Sequence, residues 1–301
     1  MRLYKTQPFA TCDTCSRLKQ TVQLASGEEQ ERARGQLERH LGYVERAREA
    51  MKARAAYARA HPDEMLYINI DGMDQAKTNI PNDKVKGKSD DVGAPLTAKL
   101  LAAIAYGRGW WGFWSFPDWG ASSNLTLTAL CKMLRDISGR SPQASERPAP
   151  HASLPPVLHL QMDNTAKDNK NHYLVGFCGM LVAERVFQEV RVFFLPVGHT
   201  HQEIDATFSR VANGLNLWGA YCLEDLMEVT QGAWGHHEDV GTSRKVNTRF
   251  DHVLDFRRLL RYSREKRCGW GDDEEEEEAE EDGPPRMHTF YGLGTERSSK
   301  R

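Results

Sequence analysis

The chain has 301 residues, room for one large domain with extensions or two small ones, and 40% of them are apolar, enough for a real core. No apolar run reaches membrane-spanning length. Cys12, Cys15, Cys131, Cys178, Cys222 and Cys268 lack disulfide-framework spacing and there is no signal peptide, which points to a reducing intracellular compartment. The formal charge of −2 conceals an asymmetry: residues 272–282 hold ten acids and no base, and without them 32 acids face 40 Lys and Arg, leaving a body of about +8 that suits a polyanion partner.

In chain order, Cys12-Asp-Thr-Cys15 is half of a zinc knuckle, with His40 and His61 as the next candidate ligands. The same pair could be two buried cysteines at the head of a helix. The chain starts close to this motif, as a piece of a longer protein would. Residues 28–60, dense in Glu, Arg and Ala without Pro, predict one long solvated helix whose alternating charges suit a charged face better than a nucleic-acid groove. From His61-Pro62 the body begins. Leu66, Ile68 and Ile70 alternate with Tyr67, Asn69 and Asp71, the period of a strand, which runs out into Asp71-Gly-Met-Asp74. Residues 78–96 read as a loop. Leu100–Tyr106 and Trp110–Phe116, joined by Gly107-Arg-Gly109, predict a hairpin, with Trp110, Trp111 and Trp114 as sheet core rather than a base-stacking platform.

Ser122 or Ser123 can cap a helix carrying Leu127, Leu130 and Leu134 as far as Gly139, and residues 140–156, rich in Pro and Ser, predict a surface loop. Val157–Asp163 is a strand ending in an acid, and Leu174, Phe177, Cys178, Leu181 and Val182 mark a packed helix. The apolar run from Val190 is stopped by Pro196 and Gly198. Ile204, Phe208, Val211 and Leu215 then form an amphipathic stripe, with His201, Asp205 and Ser209 on a neighbouring face. Leu223–Trp234 is a further helix and Arg257–Arg267 a basic one. The acidic run 272–282 is too charged and too poor in apolar residues to fold, and its removal is expected to strengthen DNA binding. No internal repeat is evident.

Acids therefore fall at the end of the first strand (Asp71), the end of the fourth (Asp163) and in the helix after the fifth (Asp205). If the first and fourth strands are neighbours, all three meet at one edge. Carboxylates so close repel, and divalent ions reverse that logic; hard oxygen ligands favour Mg²⁺ or Mn²⁺, and a pair of such ions suits phosphoryl transfer. Singly, Asp71 could cap a turn, Asp163 could cap a helix and Asp205 could be a solvated helix residue. Asp74 and Asp168 are spare acids, supporting or capping groups. His199 and His201 could bind metal or hydrogen-bond the acids or the backbone, and Lys167 and Lys170 could contact phosphate or simply solvate a helix start.

The strand order and acid positions resemble the ribonuclease H-like fold of the DDE/DDD transposases and retroviral integrases. Asp163-Asn164 is similar to the fourth-strand aspartate with its frequent Asn neighbour, and Asp205 takes the place of the third acid. More narrowly, Ile70-Asp-Gly-Met-Asp-Gln, Met162-Asp-Asn-Thr-Ala-Lys-Asp-Asn-Lys-Asn and Leu195-Pro-Val-Gly-His-Thr-His resemble a large domain family of eukaryotic proteins that looks transposon-derived, over roughly residues 5–260. The third acid departs from the common Glu, and the paired histidines have no integrase counterpart. The resemblance implies an α/β fold, a ribonuclease H-like mixed sheet flanked by helices, over residues 62–216. An N-terminal Cys-x-x-Cys and charged-helix segment (1–61) would precede it, and a helical extension (217–271) and disordered acidic tail (272–301) would follow. It further implies Asp71, Asp163 and Asp205 as catalytic ligands of two Mg²⁺ or Mn²⁺ ions, with Asp74 and Asn164 supporting them. Zn²⁺ could sit at Cys12, Cys15 and His40. DNA is the implied partner, a homo-oligomer the form, the nucleus the location, with no membrane. Two alternatives stay open: a domesticated, inactive DNA- or chromatin-binding module, and a calcineurin-like metallophosphoesterase, which shares Gly-His-Thr-His but needs early and middle motifs absent here.

Overall fold

The computed structural model describes residues 12–82, 95–117, 122–139, 154–163, 169–199, 203–234, 244–256 and 258–260. Two helices, α1 (Asp13–Leu24) and the 34-residue α2 (Gly27–Ala60), pack together at the N-terminus. The mixed charges of α2 conceal a stripe: Val44, Met51, Ala55 and Ala58, spaced by seven, four and three, are buried. The helix is thus solvated on one side only. Met51, Ala55 and Ala58 belong to a core shared with the sheet.

β1 (Met65–Gly72) follows, then a 3-10 turn (Gln75–Lys77) and two short strands, β2 (Asn79–Ile80) and β3 (Leu96–Thr97), which pair with each other inside the stretch expected to be loop. β4 (Lys99–Ala105) and β5 (Gly109–Ser115) make the expected hairpin. α3 (Ser123–Ile137), β6 (Val157–Met162), α4 (His172–Ala183), β7 (Glu189–Phe194), α5 (Glu203–Trp218), α6 (Leu223–Trp234) and β8 (Arg244–Arg249) complete the described order. The main sheet runs β7-β6-β1-β4-β5-β8. Every strand points the same way except β4, which is antiparallel to β1 and β5.

Helices cover both faces, and each face has its own core. Leu66, Ile68 and Ile70 of β1 join Leu160 and Met162 of β6 under α3 and α4. Tyr67 of β1, Leu100 and Ala102 of β4, and Trp110 and Trp114 of β5 pack under α5, α6 and the end of α2. The alternation in β1 leaves neither face to solvent. The strand's central position buries Tyr67 and Asn69 as fully as Leu66 and Ile68, as happens wherever helices cover a parallel pair on both sides. Trp110, Trp111 and Trp114 are all buried. The Trp111 indole N–H donates to Asp136 (2.8 Å) and that of Trp114 to Asn247 Oδ1 (2.8 Å). These rings are core.

β8, Arg-Lys-Val-Asn-Thr-Arg, was not expected as a strand because it shows almost no apolar alternation. It is an edge strand held by parallel pairing with Gly109–Trp114, and by Asn247, which bridges Trp114 to the Met227 carbonyl (2.7 Å). Gly112 keeps the neighbouring strand slim: a Cβ there would stand 2.5 Å from Cη2 of Trp234, a buried ring with nowhere to retreat. Gly112→Ala should therefore destabilise the protein by about 1–3 kcal/mol, seen as a lower urea midpoint at unchanged slope. An unchanged midpoint would show that the Trp234 ring gives way freely.

Candidate metal and phosphoryl-transfer site

Asp71 is the penultimate residue of β1, and Asp163 is the residue after β6. The two strands are parallel neighbours with Ile70 opposite Met162. Ile70 and Met162 both face the α3/α4 core, so by strand alternation Asp71 and Asp163 both lie on the other side, under α5. α5 is fastened there by Ile204, Phe208, Val211 and Leu215, which are buried against β1 and β4, and Asp205 is in its first turn.

This placement has an electrostatic signature. Asp71 is partly buried, and its carboxyl is pushed up to about 7. Burial is the largest cause; the Gly72 N–H, donating to Asp71 Oδ1 at 2.8 Å, opposes it, and the negative charges of Asp205 and Asp163 add to the rise. Asp71 thus feels both other carboxylates, without the three closing into a tight knot. Among the described residues the group that brings its His, Cys, Asp or Glu ligand atoms within 4.8 Å of one another is a different one.

That group is Cys12, Cys15, His40 and His199. Cys12 caps α1 and Cys15 lies in its first turn, so both thiols sit at one end of the helix. His40 comes from α2, and His199 from the loop after β7. Cys12 Sγ lies 3.4 Å from His40 Nε2, Cys15 Sγ 3.3 Å from His199 Nε2, and the two Nε2 atoms 3.2 Å apart. The Cys15 thiol is raised by burial and by Cys12 beside it, while His199 is lowered by burial and then by His40. Both shifts favour the neutral forms of Cys15 and His199; a cation would reverse this for the thiol and find the imidazole already in its ligand form. The donor set could hold a metal such as Zn²⁺.

His199, read as a metal ligand or as a hydrogen-bond partner of the acids or the backbone, turns to the cysteines and His40. His61, an early candidate for the same centre, is not part of it: it stacks on Tyr57 and lies 3.4 Å from Glu64. Gly198, with a φ of +72° and packed against the Cys12 backbone, brings the loop that carries His199 onto α1. Sequence reading missed Glu203, which lies 3.4 Å from Arg59 of α2 and so ties the start of α5 to that helix. Asp74 accepts from the Ala76 N–H (3.1 Å) and caps the 3-10 turn. Lys170 is exposed, with its ammonium 5.9 Å from the centre of the Phe194 ring. Asn164, Lys167, Asp168, His201 and the acidic run 272–282 lie outside the described residues.

A family model described as a domain of unknown function, DUF7869, matches residues 88–269, more than half of the chain. The match spans Asp163, His199 and Asp205. No curated protein and no solved structure matches the chain. Among the described residues no helix is long and apolar enough to cross a membrane.

Proposed function

We propose, for a chain that belongs to the DUF7869 family, a transposase- or integrase-like role: metal-dependent cleavage or transfer of DNA strands at Asp71, Asp163 and Asp205. The observation that carries this reading is that Asp71 and Asp163 end adjacent parallel strands, while the charges of Asp205 on α5 and of Asp163 both raise the Asp71 carboxyl. The order β7-β6-β1-β4-β5, with β4 alone reversed, is the one a ribonuclease H-like core requires and supports the same reading.

The donor chemistry fits Mg²⁺ or Mn²⁺, because three carboxyl groups offer hard oxygens and negative charge. Bound there, such ions would supply an activated water or 3′-hydroxyl and stabilise the leaving oxygen. The protein's own part is positioning. β1 and β6 fix Asp71 and Asp163 through their ladder, the Gly72 N–H orients the Asp71 carboxylate, and α5 presents Asp205 from a buried apolar stripe. The basic body outside the acidic run would attract the phosphate backbone. A nuclear location and a homo-oligomer belong to this proposal. The engagement of His199 with Cys15 and His40 counts against a phosphoesterase built on Gly-His-Thr-His.

The test is a nicking assay of the full chain on supercoiled plasmid with Mg²⁺, Mn²⁺ or EDTA. Nicking with either ion and none with EDTA is expected. DNA binding without cleavage in either ion would make the protein a binding module, and phosphoester hydrolysis without DNA binding would overturn both.

A further inference from the structure

We infer that Cys12, Cys15, His40 and His199 hold one structural Zn²⁺ ion that clamps the loop before α5 to the α1/α2 pair, and so fixes the helix that carries Asp205. The three measured separations are 3.4, 3.3 and 3.2 Å. With Zn–S of about 2.3 Å and Zn–N of about 2.0–2.1 Å, a tetrahedron has S···N edges of about 3.6 Å and an N···N edge of about 3.3 Å. The four donors already stand close to those edges. Hydrogen bonding satisfies the set poorly. His40 Nε2 faces both Cys12 Sγ and His199 Nε2, and His199 Nε2 faces both Cys15 Sγ and His40 Nε2. A ring nitrogen has one proton or one lone pair in its plane and cannot serve two partners. A shared cation satisfies all four at once.

Two thiolates and two neutral imidazoles select Zn²⁺ over hard cations, and with all four positions filled by the protein there is no open site for a substrate. The ion's charge is balanced by the two thiolates, which suits two buried cysteines with Lys19 and Arg48 nearby.

Gly198 is the independent mark of the clamp. A Cβ on it would lie 2.5 Å from Cys12 Cα and 2.8 Å from Cys12 N, so the loop backbone rests directly on the backbone of the first ligand. Its φ of +72° is one that glycine adopts without strain. Four residues beyond His199, α5 begins at Glu203, which is paired with Arg59 of the same α2 that supplies His40. α2 therefore holds the entry to α5 through an ion pair and, on this inference, through a metal.

The full chain should carry one zinc per molecule by elemental analysis. Cobalt exchanged into it should show intense tetrahedral bands and thiolate-to-cobalt charge transfer. Cys15→Ser and His199→Ala should lower the zinc content to near zero, His199→Cys should restore it, and His61→Ala should leave it at one. Gly198→Ala should weaken zinc retention against a chelator at least tenfold. Hydrogen exchange reads the clamp. In His199→Ala, or after chelation, residues 203–209 should lose protection while the β4/β5 hairpin keeps it, and His199→Cys should restore it. Zinc retained in His199→Ala would overturn the centre, and unchanged protection of α5 after zinc loss would overturn the clamp. Zinc content is read without DNA, and Asp163→Asn should keep one zinc, so failure here and failure of the strand-transfer reading are separable.

Discussion

Asp163→Asn should lower Mg²⁺- or Mn²⁺-dependent nicking by more than the roughly 10- to 100-fold typical of a residue that only supports a metal ligand, with DNA affinity changed less than about twofold. The substitution keeps the size of the side chain and most of its hydrogen bonding. What it removes is one of the charges gathered at the ends of β1 and β6. Affinity for DNA depends mainly on phosphate contacts spread over the basic body, so it should not follow the loss of one acid. Circular dichroism and the urea midpoint would show that the sheet is intact. A variant that nicks as fast as the parent would remove Asp163 from the chemistry.

The second large effect is on stability, and its sign is opposite to the usual cost of mutation. Asp71 has an ordinary carboxyl value of 3.8 when unfolded and one near 7 in the folded protein. A raised value means that the folded state holds its proton more tightly. The stability this confers is complete below about pH 4 and is lost as pH rises through 7. At pH 8 without divalent ions the folded protein therefore carries an unfavourable charge. Asp71→Asn should be more stable than the parent there by about 1–3 kcal/mol, a range discounted for solvent screening of a partly buried group, and nearly equal to it at pH 4. Adding Mn²⁺ should stabilise the parent and not the variant, narrowing the gap. Parallel stability curves across this range would mean that neither burial nor the neighbouring acids raise the Asp71 carboxyl. If both Asp variants behave as expected, the site is one where stability is given up for metal binding.

What could be read from the sequence follows from which contacts are local. The hairpin of β4 and β5 needs only Gly107, Gly109 and two apolar runs, all within seventeen residues, and it forms as expected. The helices with strong 3.6-residue stripes, α3, α5 and α6, were equally legible. So was the placement of Asp71 and Asp163, because it depends only on two strands ending in acids and lying side by side. β8 escaped because an edge strand can be recruited by backbone pairing and one Asn, with little apolar content of its own. His199 escaped for another reason. Its partners are 184 and 159 residues away, and nothing local distinguishes a histidine that meets cysteines from one that meets carboxylates. The burial of α2 was concealed by its charges, since Ala55 and Ala58 are too small to mark a core face by hydropathy alone.

The reach of His199 also has a consequence for folding. A metal joining His40 to His199 spans 159 residues, which contain the whole sheet except β8. Such a site forms only as the chain folds, so the free energy of metal binding adds to the stability of everything between its ligands. Chelation should thus lower the cooperative melting of the sheet and not merely loosen α1 and α2. The two helices at the start of the chain would then act as a buckle for the body that follows them.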